Sequence, residues 1–321
     1  MRYLITGATG FIGSKIIEKI NLSKINISTL GRNKYKKLNN DFYKCDLAKD
    51  SIPNNAFENV DVFIHCAGLA HDTAENIFSK DEYDLINYKK TIELAQAAIS
   101  NNVSIFIFIS SVKASPYNKD LINDESSLSK SCDFYGDSKR KAEIELLSLS
   151  KSSNMKTIII RPTLVYGINV GGNIEKMIKY IDYNIFPSIP NIKNRRSMVH
   201  IDNLVDIIFQ AINKKELENE IIIVSDERDY STYEIYNLIF FYLKNRKPYF
   251  SFPLIFFKLI SLLGDYIGKL MNFPFNSKMY RKLFDDEYYL TYKVKQKFKF
   301  ERNLNFENSI KKINLNYKIN K

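Results

Sequence analysis

A chain of 321 residues with 45% hydrophobic residues is long enough for one large α/β unit or two lobes and too apolar for wholesale disorder. Its net charge of +11 invites a nucleic-acid reading, but Lys and Arg are spread along the chain, with loose clusters at Arg32–Lys37 and Lys293–Lys299, where nucleic-acid binding needs a concentrated basic face. Three scattered cysteines (Cys45, Cys66 and Cys132) without a CxxC pair, and three widely spaced histidines, argue against a disulfide framework and a metal centre. With Met1 leading straight into a strand-like run, a cytoplasmic protein is expected.

The N-terminal half alternates strands and helices. Arg2–Thr6 reads as a strand, and Phe11–Ile20 as a helix through Phe11, Ile12, Ile16, Ile17 and Ile20. Ile25–Leu30, Val60–His65 and Ile105–Ser110 read as further strands, with helical periodicity over Tyr83–Ser100 between the last two. A helix over Phe134–Leu149 precedes the strand Thr157–Arg161. Such alternation implies parallel pairing through right-handed crossovers, a doubly wound Rossmann-like α/β sheet. Beyond Gly167 irregular segments run to Lys193, followed by a helix at Asp202–Asn213, a strand at Glu220–Val224 and a mostly helical remainder from Thr232. The expected division is a dinucleotide-binding domain of residues 1–165 with about 198–228, and a smaller substrate-binding lobe of 166–197 and 229–321. Phe250–Met271 is rich in Phe, Leu and Ile but broken by Pro253, Lys258, Gly264 and Asp265, so it is too short to span a membrane. A buried helix of the second lobe is the expectation there, with in-plane contact with a membrane as the alternative.

Gly7-Ala8-Thr9-Gly10-Phe11-Ile12-Gly13 follows a strand and opens a helix, the context in which a glycine turn lets backbone N–H groups and a helix N-terminus meet a pyrophosphate. At the end of the second strand, Gly31-Arg32 carries no carboxylate for the ribose hydroxyls, and Arg32 suits a 2′-phosphate. The cofactor is therefore NADP or NAD, with NADP favoured. Tyr135 and Lys139, four apart at the head of a helix, share a face. A phenol with a pKa near ~10 moves a proton at neutral pH only if a neighbouring cation lowers it. The strand Ile105–Ser110 delivers Ser110 and Ser111 at its C-terminal end, where a hydroxyl can orient a reacting oxygen towards Tyr135.

The GxxGxxG spacing, with Ser111, Tyr135 and Lys139, resembles the extended short-chain dehydrogenase/reductase family, in its nucleotide-sugar epimerase, dehydratase and reductase branch. The resemblance implies that Ser111 is the one of the two serines that orients the oxygen, that Asp46-Leu47 meets the adenine, that Cys66-Ala67-Gly68 passes close to the cofactor through Ala67 and Gly68, and that Asn87 supports the active site. It gives Arg161-Pro162-Thr163-Leu164-Val165-Tyr166-Gly167 as the segment leading to the substrate lobe, with Leu164 where some epimerases carry a substrate-binding Asn. Arg196, in Arg195-Arg196-Ser197-Met198, becomes the clamp on a nucleotide diphosphate; beside the resemblance, the small loop and amide of Gly171-Gly172-Asn173, Arg281 and Lys113 are further candidate substrate contacts, and His200 reads as structural.

The expected activity is reduction of C4 of a UDP-4-keto-6-deoxy-N-acetylhexosamine for surface polysaccharide, because Ser110-Ser111-Val112-Lys113 looks more like the ketoreductase subgroup than the epimerases. The alternative is a UDP-N-acetylglucosamine 4-epimerase with tightly held NAD. A 4,6-dehydratase is disfavoured because Val112 stands where an acid usually follows the catalytic Ser or Thr, and a non-catalytic dinucleotide sensor is disfavoured by the Tyr/Lys pair. Family members often dimerise through two helices, here Tyr83–Ser100 and Phe134–Leu149, so a homodimer is an open expectation.

Overall fold

The computed structural model describes residues 1–22, 26–36, 40–70, 78–131, 133–168, 173–268, 275–300 and 304–319. In chain order these form β1 (Arg2–Thr6), α1 (Phe11–Leu22), β2 (Asn26–Gly31), β3 (Asp41–Lys44), β4 (Val62–His65), α2 (Lys80–Tyr83), α3 (Lys90–Ser100), β5 (Ile105–Ile109), α4 (Phe134–Lys151), β6 (Lys156–Pro162), β7 (Leu164–Tyr166), α5 (Asn173–Asp182), β8 (Met198–His200), α6 (Ile201–Asn213), β9 (Glu220–Val224), α7 (Thr232–Lys244), α8 (Leu254–Ile267), α9 (Ser277–Phe284), α10 (Tyr292–Lys297) and α11 (Phe306–Ile319). A π-helical turn, Asp84–Lys89, joins α2 to α3.

Seven strands make one parallel sheet in the order β3-β2-β1-β4-β5-β6-β9. The order reverses between β1 and β4, and the crevice beyond their carboxyl ends is where such sheets bind ligands. Strand residues alternate between two faces. Leu4, Phe63, Phe106, Phe108 and Ile159 pack with Leu94, Ala95 and Ala98 of α3 and with Ala142 and Leu146 of α4. On the other face the Tyr3 ring meets Phe209 of α6, and Lys19 of α1 pairs with Asp206 of α6.

The chain divides into two compact units. The first holds Met1–Thr163, Ile201–Ser225 and Tyr289–Phe300. Its last piece, read from the sequence as part of the C-terminal lobe, belongs here because Tyr289 is buried with Val112 and Ile223 and its hydroxyl accepts the Tyr117 N–H at 2.9 Å. The second unit holds Leu164–His200, Asp226–Tyr288 and Glu301–Lys321, with the two-stranded β7–β8 sheet and a core of Tyr166, Met177, Ile181, Tyr236, Phe257 and Phe306 among others.

One expectation changes here. Within the apolar run of Phe250–Met271, Leu254–Ile267 forms α8, which is not a buried helix, and residues 269–271 lie outside the described residues. Only Phe257, Ser261 and Gly264 are buried, and the rest of its large apolar side chains are half-buried or exposed. Among the described residues no helix is long and apolar enough to cross a membrane.

Candidate active site

The cradle for a dinucleotide is built where β1 and β4 end. Gly7 takes a φ of +69°, and a Cβ there would lie 2.7 Å from the Ala67 nitrogen and the Cys66 carbonyl carbon, so only glycine lets the turn sit this close to the end of β4. The Gly10 N–H donates to the Gly7 carbonyl at 2.9 Å, and α1 opens directly after it with Phe11, Ile12 and Gly13 in its first turn. Bare backbone at the N-terminus of a 12-residue helix fits the pyrophosphate of a dinucleotide. The Thr6 hydroxyl ties the two strand ends together, accepting the Ala67 N–H at 3.3 Å and bonding His65 Nδ1 at 2.6 Å. His65 also bonds Thr91, and full burial pulls its pKa down to about 3, so it is a neutral structural side chain.

Other cofactor candidates vary in exposure. Arg32 is exposed just past β2. Asp46 shapes its own turn, accepting the Ala48 N–H at 3.0 Å, and Leu47 is buried. Ala67 is half-buried and Gly68 exposed; a Cβ on Gly68 would lie 2.8 Å from Asn87 Oδ1 and 3.4 Å from Lys139 Nζ. Asn87 is fully buried in the π turn. It accepts the Leu69 N–H at 2.8 Å, donates to the Leu69 carbonyl at 3.0 Å and reaches Ser138 Oγ at 3.2 Å, so one side chain holds the loop after β4 against α4. A π turn inside a helix commonly marks a functional position.

Ser111, two residues past β5, comes together with Tyr135 and Lys139 of α4. Ser111 caps the short turn Val112–Ala114, its hydroxyl accepting the Lys113 N–H at 3.2 Å, and it also hydrogen-bonds Tyr135. Asp133 caps α4 by accepting the Gly136 N–H at 2.7 Å. Gly136 was not singled out by the sequence, yet it brings the parts together. A Cβ there would fall 2.1 Å from the Lys113 carbonyl oxygen, so its lack of a side chain lets the head of α4 rest on the Ser111 turn. The Tyr135 ring meets Tyr83 edge-on at 6.1 Å.

The electrostatics differ from the sequence expectation of a lowered phenol pKa. Burial pushes Tyr135 up to about 12, with the Ser111 hydrogen bond working the other way. Lys139 is not among the groups that lower it: its ammonium donates to the Ile109 carbonyl at 3.0 Å and sits over the Phe108 ring at 4.6 Å. Burial brings Lys139 down to about 8, partly offset by Cys66 and Glu143, and pushes the Cys66 thiol up to about 12.

Beneath these side chains lies a fully buried ion pair that sequence reading also missed. Arg161 of β6 grips Glu143 of α4 with two hydrogen bonds, of 2.8 and 2.6 Å, and Ser110 of β5 donates to the same carboxylate at 2.6 Å. The available signal was Glu143 standing four residues after Lys139, on the same helix face.

In the second unit the substrate candidates separate. Arg196 is largely buried and its guanidinium is held by Glu287 at 2.7 Å and by the Lys282 carbonyl at 2.7 Å. Arg195 pairs with Asp229 and stacks on Tyr288 at 3.8 Å, while Arg281 is exposed on α9. The His200 N–H donates to Asp226, whose carboxylate also accepts from the Tyr166 hydroxyl at 2.5 Å, a structural arrangement. Lys113, a candidate in the first unit, is half-buried. Asn173 opens α5, and Gly171 and Gly172 lie outside the described residues.

A doubly wound sheet with a glycine cradle at its switch point and a Ser–Tyr–Lys set just past β5 and on α4 defines a dinucleotide-dependent enzyme of the short-chain dehydrogenase/reductase class. The chain belongs to the NAD dependent epimerase/dehydratase family, whose pattern residues 3–225 match. It is 32% identical over 286 residues to the UDP-glucose 4-epimerase of Vibrio cholerae, spanning 83% of this chain and 82% of that protein. It is 26% identical over 243 residues to the N-acetyl-alpha-D-glucosaminyl-diphospho-ditrans,octacis-undecaprenol 4-epimerase of Escherichia coli O157:H7, spanning 74% of this chain and 66% of that one. Its fold resembles the crystal structure of UDP-glucose 4-epimerase with UDP-glucose from Thermotoga maritima, with a TM-score of 0.77 at 17% identity over 100% of this chain and 99% of the other.

Proposed function

We propose that this protein is an NAD-dependent 4-epimerase of a UDP-hexose or its N-acetylated form. The likeness to the Vibrio cholerae epimerase over four-fifths of both chains carries this reading, and it reverses the order in which the sequence ranked ketoreductase and epimerase. The turn from Gly7 to Gly13, with Ala67 and Gly68, holds the cofactor, which supplies the oxidant for C4 and returns the hydride. Ser111 hydrogen-bonds the C4 oxygen and aims it at Tyr135. Tyr135 takes the proton from that oxygen and, after the keto sugar has turned its opposite face to the cofactor, returns the proton to the same oxygen. As placed, the phenol is neutral and ready to donate; to act as base it needs a nearby positive charge, and Lys139, one helical turn away, carries one below about pH 8. In the second unit Arg196 can clamp a diphosphate only by leaving Glu287, so exposed Arg281 is the readier candidate there, and Lys113 is a separate candidate in the first unit.

The neutral Tyr135 favours one other reading, the C4 ketoreductase, since a phenol at about 12 is suited to protonating a newly formed alkoxide. The test is incubation of the purified protein with UDP-glucose and UDP-N-acetylglucosamine, without added NAD(P)H, followed by NMR of the sugar. Formation of the C4 epimers supports the proposal. No epimer, together with consumption of NADH or NADPH on a 4-keto-6-deoxy UDP-sugar, replaces it with the ketoreductase.

A further inference from the structure

Helix α8 carries an apolar face that nothing among the described residues covers. Phe257, Ser261 and Gly264 turn inward, Phe257 packing edge-on against Phe284 at 5.0 Å. On the outward side Ile255, Leu259, Leu262, Leu263 and Tyr266 are each more than half exposed. At helical spacing these five fall within a stripe about 100° wide, as broad as the stripe a helix normally buries against a core. Scattered exposed apolar residues are ordinary, but a continuous stripe on one helix marks a surface that meets something else.

The charge around the stripe identifies that something. From Arg246 to Lys282 the sequence has seven Lys and Arg against one acidic residue, Asp265. The net charge of +6 in these 37 residues is more than half of the +11 of the whole chain. Lys258 is exposed on α8 itself, Arg246 and Lys247 are exposed in the segment that leads into it, and Lys278 is exposed on α9, which packs against α8. An apolar helical stripe bordered by cations matches the interface of an anionic bilayer, where the stripe enters the headgroup–acyl boundary and the cations meet lipid phosphates. A second copy of this chain fits poorly, because a two-fold interface would set each cationic border against itself.

We infer that α8 is an in-plane anchor that seats this protein on an anionic membrane surface. This stands apart from the reaction at Tyr135, since no residue of the anchor belongs to the catalytic set. The test is flotation of the full-length protein with vesicles of phosphatidylcholine alone and of phosphatidylcholine mixed with phosphatidylglycerol, at low and high salt, with sedimentation velocity alongside. Binding to the mixed vesicles is expected to exceed binding to the neutral ones by at least about tenfold, to weaken with salt, and to be lost in Leu259→Glu/Leu263→Glu, with turnover of soluble UDP-sugar unchanged. Lys258→Glu/Lys278→Glu leaves the stripe intact and is expected to weaken binding to the mixed vesicles alone. Absence of flotation with the anionic vesicles, or flotation untouched by either pair of substitutions, overturns the anchor. A wild-type dimer that becomes a monomer in Leu259→Glu/Leu263→Glu, without vesicle binding, makes the face an interface between copies instead.

Discussion

Replacing Lys139 with Met is expected to make the protein more stable and catalytically inactive. The side chain is 4% exposed, and burial holds its pKa at about 8 against the 10.5 of an ordinary lysine. Because the folded value is the lower one, the unfolded chain binds the extra proton between these limits, and stability rises with pH there. The penalty is therefore complete below about pH 8 and relieved as pH climbs towards 10.5. The gap corresponds to on the order of 3 kcal/mol. Met preserves the side-chain length and the contact with Phe108, but it leaves the Ile109 carbonyl without its donor at 3.0 Å, a loss of about 1–2 kcal/mol. The variant is expected to be more stable by about 1–2 kcal/mol at neutral pH, with the advantage shrinking and then reversing as pH approaches 10.5. Urea denaturation of both proteins from neutral to alkaline pH measures this, and a turnover assay measures the loss of activity, about a thousandfold. A variant that is less stable than wild type at neutral pH, by an amount that does not change with pH, refutes the reasoning, because the buried ammonium would then cost the fold nothing.

Further outcomes follow from the same geometry. Glu143→Gln strands the fully buried Arg161 guanidinium and is expected to cost about 3–5 kcal/mol in denaturant titrations; it also removes a group that raises the Lys139 pKa, so the alkaline limb of activity shifts to lower pH. Gly136→Ala drives a Cβ into the Lys113 carbonyl and is expected to lower kcat/KM by about a hundredfold or more through misplacement of Tyr135 against Ser111. In the wild type, kcat/KM is expected to fall above about pH 8 as Lys139 loses its charge; a rate that stays flat to pH 10 or so removes Lys139 as the cation that assists Tyr135. Tyr135→Phe is expected to abolish epimer formation while the protein still co-purifies with its dinucleotide, read from absorbance after denaturation.

What the sequence made legible was local. The turn from Gly7 to Gly13 declares itself because strand, glycines and helix are contiguous, and Tyr135 and Lys139 do so because four residues is one helical turn. What it hid depends on contacts between distant segments. Nothing near Gly136 in the sequence says that the Lys113 carbonyl will lie where its Cβ would be. Nothing in Asp84–Lys89 announces the extra residue in the helical turn that holds Asn87. The phenol of Tyr135 illustrates the same limit. Spacing places a cation on its helix face but leaves open where the ammonium points, and the Ile109 carbonyl decides that.

Helix α8 shows why composition alone misleads in the opposite direction. A run of Phe, Leu and Ile reads as core because most such runs are core. Burial, however, is a property of what lies across from each side chain, and among the described residues only Phe257, Ser261 and Gly264 of α8 are buried, with Phe256, Ile260 and Ile267 half-buried beside them. The buried positions are one aromatic and two small residues, while Ile255, Leu259, Leu262 and Leu263 point out. A helix selected only to complete the core of its unit would be patterned the other way, with its aliphatic residues inside and charges outside. The inverted distribution, in the part of the chain that also concentrates the positive charge, makes the membrane surface the physically consistent neighbour for α8.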